Sequence, residues 1–318
     1  MTHARGPHRE PATPMRWAVG RAALMMALGL VAGCGGGSPS GDDPGAGGPL
    51  ATAIAATPLQ YAEEVQIEVT GERLDNQVSI RLSGACEGVP TLVRTGETKL
   101  TTRCTPTAVG PLSIAVTAGS AELKSDVFTV PPPRIAIAVG SASTATTFTF
   151  ELDPGATGSS QRGWTDLFLR RARLGEYTGT VFHQILGGSR LEAGCYVVNG
   201  NNVPSARSLS PPVVAVVQQL GQSNTQYSLA MSKERCRDSQ GVDQPGIFAV
   251  NLADNSSSAG QLTPVDRLNY VVIGELVGNS EKQALQDLSN VATANYSYLS
   301  DFPKDPQSVT LRSLNRVQ

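Results

Sequence analysis

Three consecutive prolines at positions 131–133 set the strongest limit on how this chain can fold. Proline has no amide hydrogen and a fixed φ, so the triplet cannot run through a sheet interior and acts as a stiff spacer. The chain therefore reads as two folded segments, residues 51–130 and 134–318, behind a separate N-terminal stretch. Upstream of the prolines lie "VQIEV" (65–69), "QVSIRL" (77–82), "LSIAV" (112–116) and "DVFTV" (126–130). These runs alternate or are rich in β-branched residues, and Gly, Pro, Asn or Asp punctuate them. No helical periodicity competes.

The two segments give different expectations. Short strands over residues 51–130 predict an immunoglobulin-like β-sandwich. Downstream, "TFTFEL" (147–152) alternates as a half-buried strand, and "TVFHQIL" (180–186), "YSLAM" (227–231), "GIFAVNL" (246–252), "YVVIGEL" (270–276) and "SVTLRSL" (308–314) read as further strands. "WTDLFLRRARLGEY" (164–177) places Trp164, Leu167, Phe168 and Leu174 near one helical face, with Gly175 as the stop. "SEKQALQDLSNV" (280–291) is a second helix with Ser280 as N-cap. Antiparallel-type strands with two helices predict a β-barrel capped by helices, so the chain as a whole is mainly β.

The N-terminal stretch speaks to compartment. Arg5, Arg9, Arg16 and Arg21 precede an apolar run, 22–31, that is too short to span a bilayer. It ends in "VAGC" (31–34), and the small residues before Cys34 resemble a bacterial lipobox. Residues 1–33 are thus expected to be a lipoprotein signal peptide, with cleavage before Cys34 and lipidation of its sulfur. The competing reading is an ordinary signal peptide with a chance cysteine. Residues 35–49, "GGGSPSGDDPGAGGP", read as a flexible tether, so 34–50 is anchor and leash. Gly35 stands where some bacteria place an Asp as an inner-membrane retention signal, which favours the outer membrane. The expectation is a bacterial cell-envelope protein, lipid-anchored and facing the periplasm.

Charge and cysteine usage agree with export. Of 25 Lys+Arg and 27 Asp+Glu, the leader removes four Arg and one Glu, leaving 21 against 26 and a net charge of −5. A mildly acidic chain excludes the basic face that nucleic acid requires. Beyond Cys34, Cys86, Cys104, Cys195 and Cys236 are an even set, which in an oxidising compartment suggests two disulfides. Three connectivities are open; the proline boundary favours Cys86–Cys104 and Cys195–Cys236. Zinc is the alternative, opposed by the lack of any CxxC pair and by scarce histidine. His3 and His8 leave with the leader, so His183 alone would have to serve a Ser-His-Asp hydrolase or a histidine-based metal site. No cofactor or metal is expected.

The words of residues 134–318 also carry a resemblance. "FELDPGA" (150–156), "GEYTGTVFHQILGG" (175–188), "NTQYSLAMS" (224–232), "GIFAVNLADN" (246–255), "YVVIGELVGN" (270–279) and "SVTLRSLNRV" (308–317) occur in the order and spacing of the cyclophilin-type peptidyl-prolyl cis-trans isomerases. The second word resembles that family's "GxYDGTxFHRVIPG". The resemblance implies a cyclophilin-like β-barrel, proline-containing peptides or envelope proteins as partners, and rotation about X-Pro bonds as the activity. That rotation faces a barrier of about 18–20 kcal/mol because the amide is conjugated. Lowering it needs an apolar pocket for the proline ring and a donor that binds the twisted amide better than the planar one.

The family's site residues fall on replaced positions here. The family's catalytic Arg, directly after Phe182-His183, becomes Gln184, a shorter and uncharged donor. Its Phe-Met pair becomes Ser189 and Arg190, and its next Gln becomes Glu192. Phe182 and, on the following words, Ser232 and Lys233, Ile247, Phe248 and Ala249 occupy the groove positions, with Phe248 retained. Val265 and Asp266 fall where the family has Trp and Leu, and Tyr270 falls where it has His. Gln184 is thus expected in a disabled or repurposed site, with isomerase activity weak or absent. A non-catalytic peptide-binding module of the envelope is the alternative. Ala249 with Ser189 should leave the pocket wide and shallow. Arg190 and Lys233 are expected as solvated loop charges, the alternative being that one resupplies the missing positive charge. His183, on the other strand face from Gln184, is expected to be a packed structural residue. By the resemblance, Cys195 and Cys236 lie on two loops flanking the groove, and a bridge closing a loop of roughly 40 residues would contribute about 3–4 kcal/mol.

Overall fold

The computed structural model describes residues 47–74, 77–86, 90–155, 160–207, 209, 223–232, 235–237, 243–255, 270–296 and 299–318. The expectations for the leader, for Cys34, for Lys233 and for Val265 and Asp266 lie outside them.

Strand alternation builds the N-terminal segment. Its strands are β1 (Leu50–Thr57), β2 (Val65–Glu72), β3 (Val78–Gly84), β4 (Val93–Thr95), β5 (Lys99–Cys104), β6 (Gly110–Ala118) and β7 (Ala121–Val130). They form a four-stranded sheet, β1-β2-β5-β4, and a three-stranded sheet, β3-β6-β7, with every pairing antiparallel. Val65, Ile67 and Val69 of β2 and Leu112, Ile114 and Val116 of β6 are buried, while residues between them are more exposed. Cys86 and Cys104 form a disulfide, fastening the chain after β3 to the end of β5.

The prolines end β7 and precede β8, as expected. The C-terminal segment comprises β8 (Arg134–Gly140), β9 (Ala145–Leu152), α1 (Ser160–Arg173), β10 (Gln184–Leu186), β11 (Arg190–Ala193), β12 (Tyr196–Val198), β13 (Pro204–Ala206), β14 (Ser228–Ser232), β15 (Arg235–Arg237), β16 (Asp243–Pro245), β17 (Phe248–Asn251), β18 (Tyr270–Leu276), α2 (Ser280–Ser289), β19 (Thr293–Tyr296), β20 (Leu299–Pro303), a 3-10 turn (Pro306–Val309) and β21 (Leu311–Arg316). Eight strands join in one antiparallel sheet, β10-β11-β17-β14-β18-β9-β8-β21, which curls into a half-barrel. Hydrogen bonds from Gly179 N to Leu311 O, Leu311 N to Thr180 O and Phe182 N to Val309 O bring the approaches to its two outermost strands together. The mainly β architecture expected from the sequence, with a curled sheet and helices, is present.

Alternation sorts the sheet into two faces. Phe148, Phe150 and Leu152 of β9, Leu191 of β11, Leu229 and Met231 of β14, Phe248 and Val250 of β17 and Val271 and Ile273 of β18 share the main core. Helix α1 adds Trp164, Leu167, Phe168 and Leu169, and α2 adds Leu285.

Local details correct several expectations. Helix α1 stops at Arg173, so Leu174 falls outside it and is exposed. Arg171 is buried instead, its Nη1 2.9 Å from Glu176 Oε2. Gly175 does end the helix, at φ +67°. Asn279, not Ser280, caps α2; it makes no side-chain capping bond, and the Gly278 amide donates to Glu281 Oε2 at 3.1 Å. The strand expected over 180–186 is regular only at β10, because Thr180 and Val181 make single bridges to Val197 and Thr310.

The two segments share the main apolar cluster and also meet through polar contacts. Tyr61, between β1 and β2, is buried and donates its hydroxyl to Asp166 Oδ1 of α1 at 2.6 Å. Arg316 Nη1 donates to the Tyr61 carbonyl at 2.7 Å, and Arg173 pairs with Glu63.

Candidate functional site

The sequence-predicted site residues converge on the outer face of the curled sheet. Register explains why. Gln184 of β10 pairs with Glu192 of β11, Glu192 with Ala249 of β17, Ala249 with Ala230 of β14 and Ala230 with Val272 of β18. One cross-strand row therefore carries Gln184, Glu192, Ala249, Ala230 and Val272. The adjoining row pairs Arg190 with Asn251. Ala230, Ala249, Tyr270 and Val272 form a buried apolar cluster separate from the main core.

A buried ion pair stands beside that cluster. Arg190 and Glu192 are only 8% and 2% exposed. Arg190 Nε donates to Glu192 Oε1, the same oxygen receives the Tyr270 hydroxyl at 2.5 Å, and the guanidinium lies 5.1 Å from the Tyr270 ring centroid. Positions that by resemblance would give an apolar wall and a neutral amide are thus one charged, hydrogen-bonded unit. Arg190 is not a solvated loop charge: it belongs to a strand with strands on both sides. The buried Arg190–Glu192–Tyr270 unit borders Ala249, a charged neighbour that the expectation of a wide, shallow pocket did not include.

Gln184 sits at the end of the row, half-buried. Its Nε2 donates to Ser300 Oγ of β20 at 2.9 Å. The turn that aligns it with Glu192 uses Gly187 and Gly188, the latter at φ +73°, closed by Ser189 N donating to Leu186 O at 2.9 Å.

Other expected residues separate. Phe182 and Phe248 leave the groove set: both point into the core, where Phe248 packs edge-on against Phe182, Tyr177 and Phe168. Ile247, just before β17, joins Cys195 and Leu209 in a small apolar cluster separate from the one that holds Ala249. Ser232 is buried and pairs with Tyr270 across β14 and β18. Ser189 is buried, its carbonyl receiving Leu252 N at 2.7 Å and Asn255 Nδ2 at 3.2 Å. Cys195 is buried and disulfide-bonded; the side chain of Cys236 lies outside the described residues.

Sequence reasoning missed two features. Ser300, the partner of Gln184, lies 116 residues away with no local signal. A buried amide network was visible only as the Asn residues of two quoted words. Asn251 Nδ2 donates to Asn224 Oδ1 at 3.1 Å and Ser228 Oγ at 2.8 Å, and Asn255 Nδ2 donates to Asn251 Oδ1 at 2.9 Å. Among the described residues, no group of three or more His, Cys, Asp or Glu side chains could hold a metal ion.

His183 is packed, as expected, edge-on to Tyr196 at 4.8 Å between ring centroids. Burial drives its pKa from 6.5 down to about 4, against the opposing pull of Glu192.

The chain is similar to several solved structures. A cyclophilin-type peptidyl-prolyl cis-trans isomerase of Cryptosporidium parvum matches at 16% identity and a TM-score of 0.37, over 59% of this chain and 98% of that one. The same isomerase in the presence of the dipeptide Ala-Pro matches at 16% identity and 0.35, over 57% and 99%. The Mimivirus cyclophilin matches at 17% identity and 0.36, over 58% and 89%. No family model and no curated protein matches the chain.

Two outcomes are expected from this geometry. Arg190→Met leaves Glu192 buried without its cation and costs about 3–5 kcal/mol, whereas pairing it with Glu192→Gln restores most of the loss. Urea denaturation of the two variants checks this, and a single variant as stable as the native chain would rule out the buried pair. For His183, the unfolded chain takes up a proton near pH 6.5 and the folded chain only near pH 4. Stability present above pH 6.5 is therefore lost as pH falls towards 4, by about 3 kcal/mol in all. Denaturation of native and His183→Gln proteins from pH 7.5 to 4 should give a difference curve that is level above pH 7 and falls below 6.5; a flat curve throughout would mean an accessible imidazole.

Proposed function

We propose that this chain is a cyclophilin-type peptidyl-prolyl isomerase-like lipoprotein of the bacterial cell envelope, with weak or no turnover. Its outer sheet face holds proline-containing peptides or extended segments of envelope proteins. The observation that carries the reading is the pairing of Gln184 with Ser300. The side chain at the donor position is uncharged and already committed to a neighbour. Hydrogen bonds involving a charged group are roughly twice as strong as neutral ones, and a lost transition-state donor costs about 10²–10³-fold in rate.

A second reading, a non-catalytic binding module, is favoured by the Arg190–Glu192–Tyr270 unit. It puts a buried, hydrogen-bonded ion pair where a proline ring would need an apolar wall. The N-terminal seven strands then act as a spacer. Their orders, β1-β2-β5-β4 and β3-β6-β7, support an immunoglobulin-like sandwich, which carries four and three strands in that arrangement. The basic leader, the lipobox-like "VAGC" and the glycine-rich tether support a periplasm-facing lipid anchor at Cys34, and Gly35 supports the outer membrane.

The test is isomerisation of an Ala-Pro peptide by the native chain and by Gln184→Arg. The native chain is expected at least a hundredfold below an active isomerase, the smaller loss for one missing donor. Activity gained in Gln184→Arg means one lost donor silenced a usable groove, and inactivity of both favours the binding module. Rapid turnover by the native chain would overturn the proposal. For the anchor, Cys34→Ser should move the protein from the membrane to the soluble fraction of a bacterial host, and continued membrane association would count against lipidation.

A further inference from the structure

The turn between β12 and β13 carries the chain's single Asn-Gly pair, Asn199-Gly200. Both residues are exposed. The Asn199 side chain is held in place all the same: Oδ1 accepts from Asn201 N and from Val203 N, each at 3.0 Å. Asn199 N donates to Val203 O at 3.2 Å and Asn202 N to Asn199 O at 2.9 Å, which closes the turn. None of these residues belongs to the site built on Gln184, Arg190 and Glu192.

A side-chain carbonyl bonded to the amide two residues on is folded back over the amide between them, here that of Gly200. Among the described residues the Gly200 amide donates no hydrogen bond, so its nitrogen is not committed elsewhere. Gly200 also brings no Cβ to obstruct an approach to the Asn199 side chain. The two amides on Oδ1 meet the oxygen that gathers negative charge when a nucleophile adds to Cγ, which is the arrangement of an oxyanion hole.

We propose that Asn199 is a self-modification site, where the turn converts its own side-chain amide to an acid. Gly200 N gives its proton to solvent base and bonds to Asn199 Cγ. The Cγ–Nδ2 bond then breaks, and the nitrogen takes a proton from solvent and leaves as ammonia. Water opens the cyclic imide, at one carbonyl to give aspartate and at the other to give isoaspartate. The aspartate keeps an acceptor for Asn201 N and Val203 N, now charged and stronger. The isoaspartate adds a backbone atom to the turn and displaces that acceptor. Its effect reaches β12, where Tyr196 O accepts from Val181 N at 2.9 Å and the Tyr196 ring packs on His183.

Peptide mapping by mass spectrometry of the full chain, held folded or in urea in a mildly alkaline buffer, tests the proposal. In the folded chain, amide-to-acid conversion is expected at residue 199 at least about tenfold faster than at Asn201 and Asn202, equally exposed but followed by Asn and Val. Conversion at 199 is expected to be no slower folded than in urea, because the bonds to Oδ1 assist attack. A Cβ on Gly200 meets nothing within 4 Å, so Gly200→Ala should keep native melting and slow conversion by at least about threefold. The proposal fails if residue 199 converts more slowly in the folded chain than in urea, if Asn201 or Asn202 converts as fast, or if Gly200→Ala converts at the native rate.

Discussion

The aromatic contacts around Phe248 hold the C-terminal segment in register. Phe248 packs edge-on against Phe168 of α1, Tyr177 of the following turn and Phe182 before β10, with centroids 5.5, 5.2 and 6.3 Å away. Such pairs add about 0.5–1.5 kcal/mol each beyond the area they bury. Gly194 serves the same packing: at φ +102°, a Cβ there would lie 2.5 Å from Gly246 O, 2.9 Å from Tyr177 and 3.1 Å from Phe248. With Phe248 fixed inward, alternation turns Ala249 outward and sets the row that runs from Gln184 to Val272. A slip of one residue would move Ala249 into the core and the aromatic ring onto the site.

The outer face then follows from what fills it. Small residues at 230 and 249 leave room beside Tyr270. Arg190 lies against Tyr270 and shares Glu192 with it. The interior of a protein rewards such a unit only when each member is satisfied, and removing one partner exposes the cost of the others. The scaffold therefore constrains all three side chains jointly. The amide network of Asn224, Asn251 and Asn255 extends the constraint, tying the chain after β17 to the approach to β14.

The junction between the segments combines a shared apolar cluster with directional polar contacts: Tyr61 to Asp166, Arg316 to the Tyr61 carbonyl, Arg173 to Glu63. A cavity lined by Leu169 and Leu314 lies beside them.

Period-two patterning was legible wherever a strand had one buried face: Phe148, Phe150 and Leu152, or Val65, Ile67 and Val69, declare themselves. The proline triplet and Gly175 were equally readable, since backbone chemistry acts locally. Strand β1, "LATAIAAT", was not, because its alanines carry no strand preference and pairing with β2 imposes the conformation. The candidate positions Gln184, Arg190, Glu192, Ala249 and Tyr270 could be named from the sequence words, but their relationships could not. Phe182 and Phe248 belong to the core, Arg190 pairs with Glu192 beneath Tyr270, and Gln184 meets Ser300 from 116 residues away. Sequence determines which face each residue of a strand can take; only tertiary structure decides which faces meet, because that depends on register between distant strands.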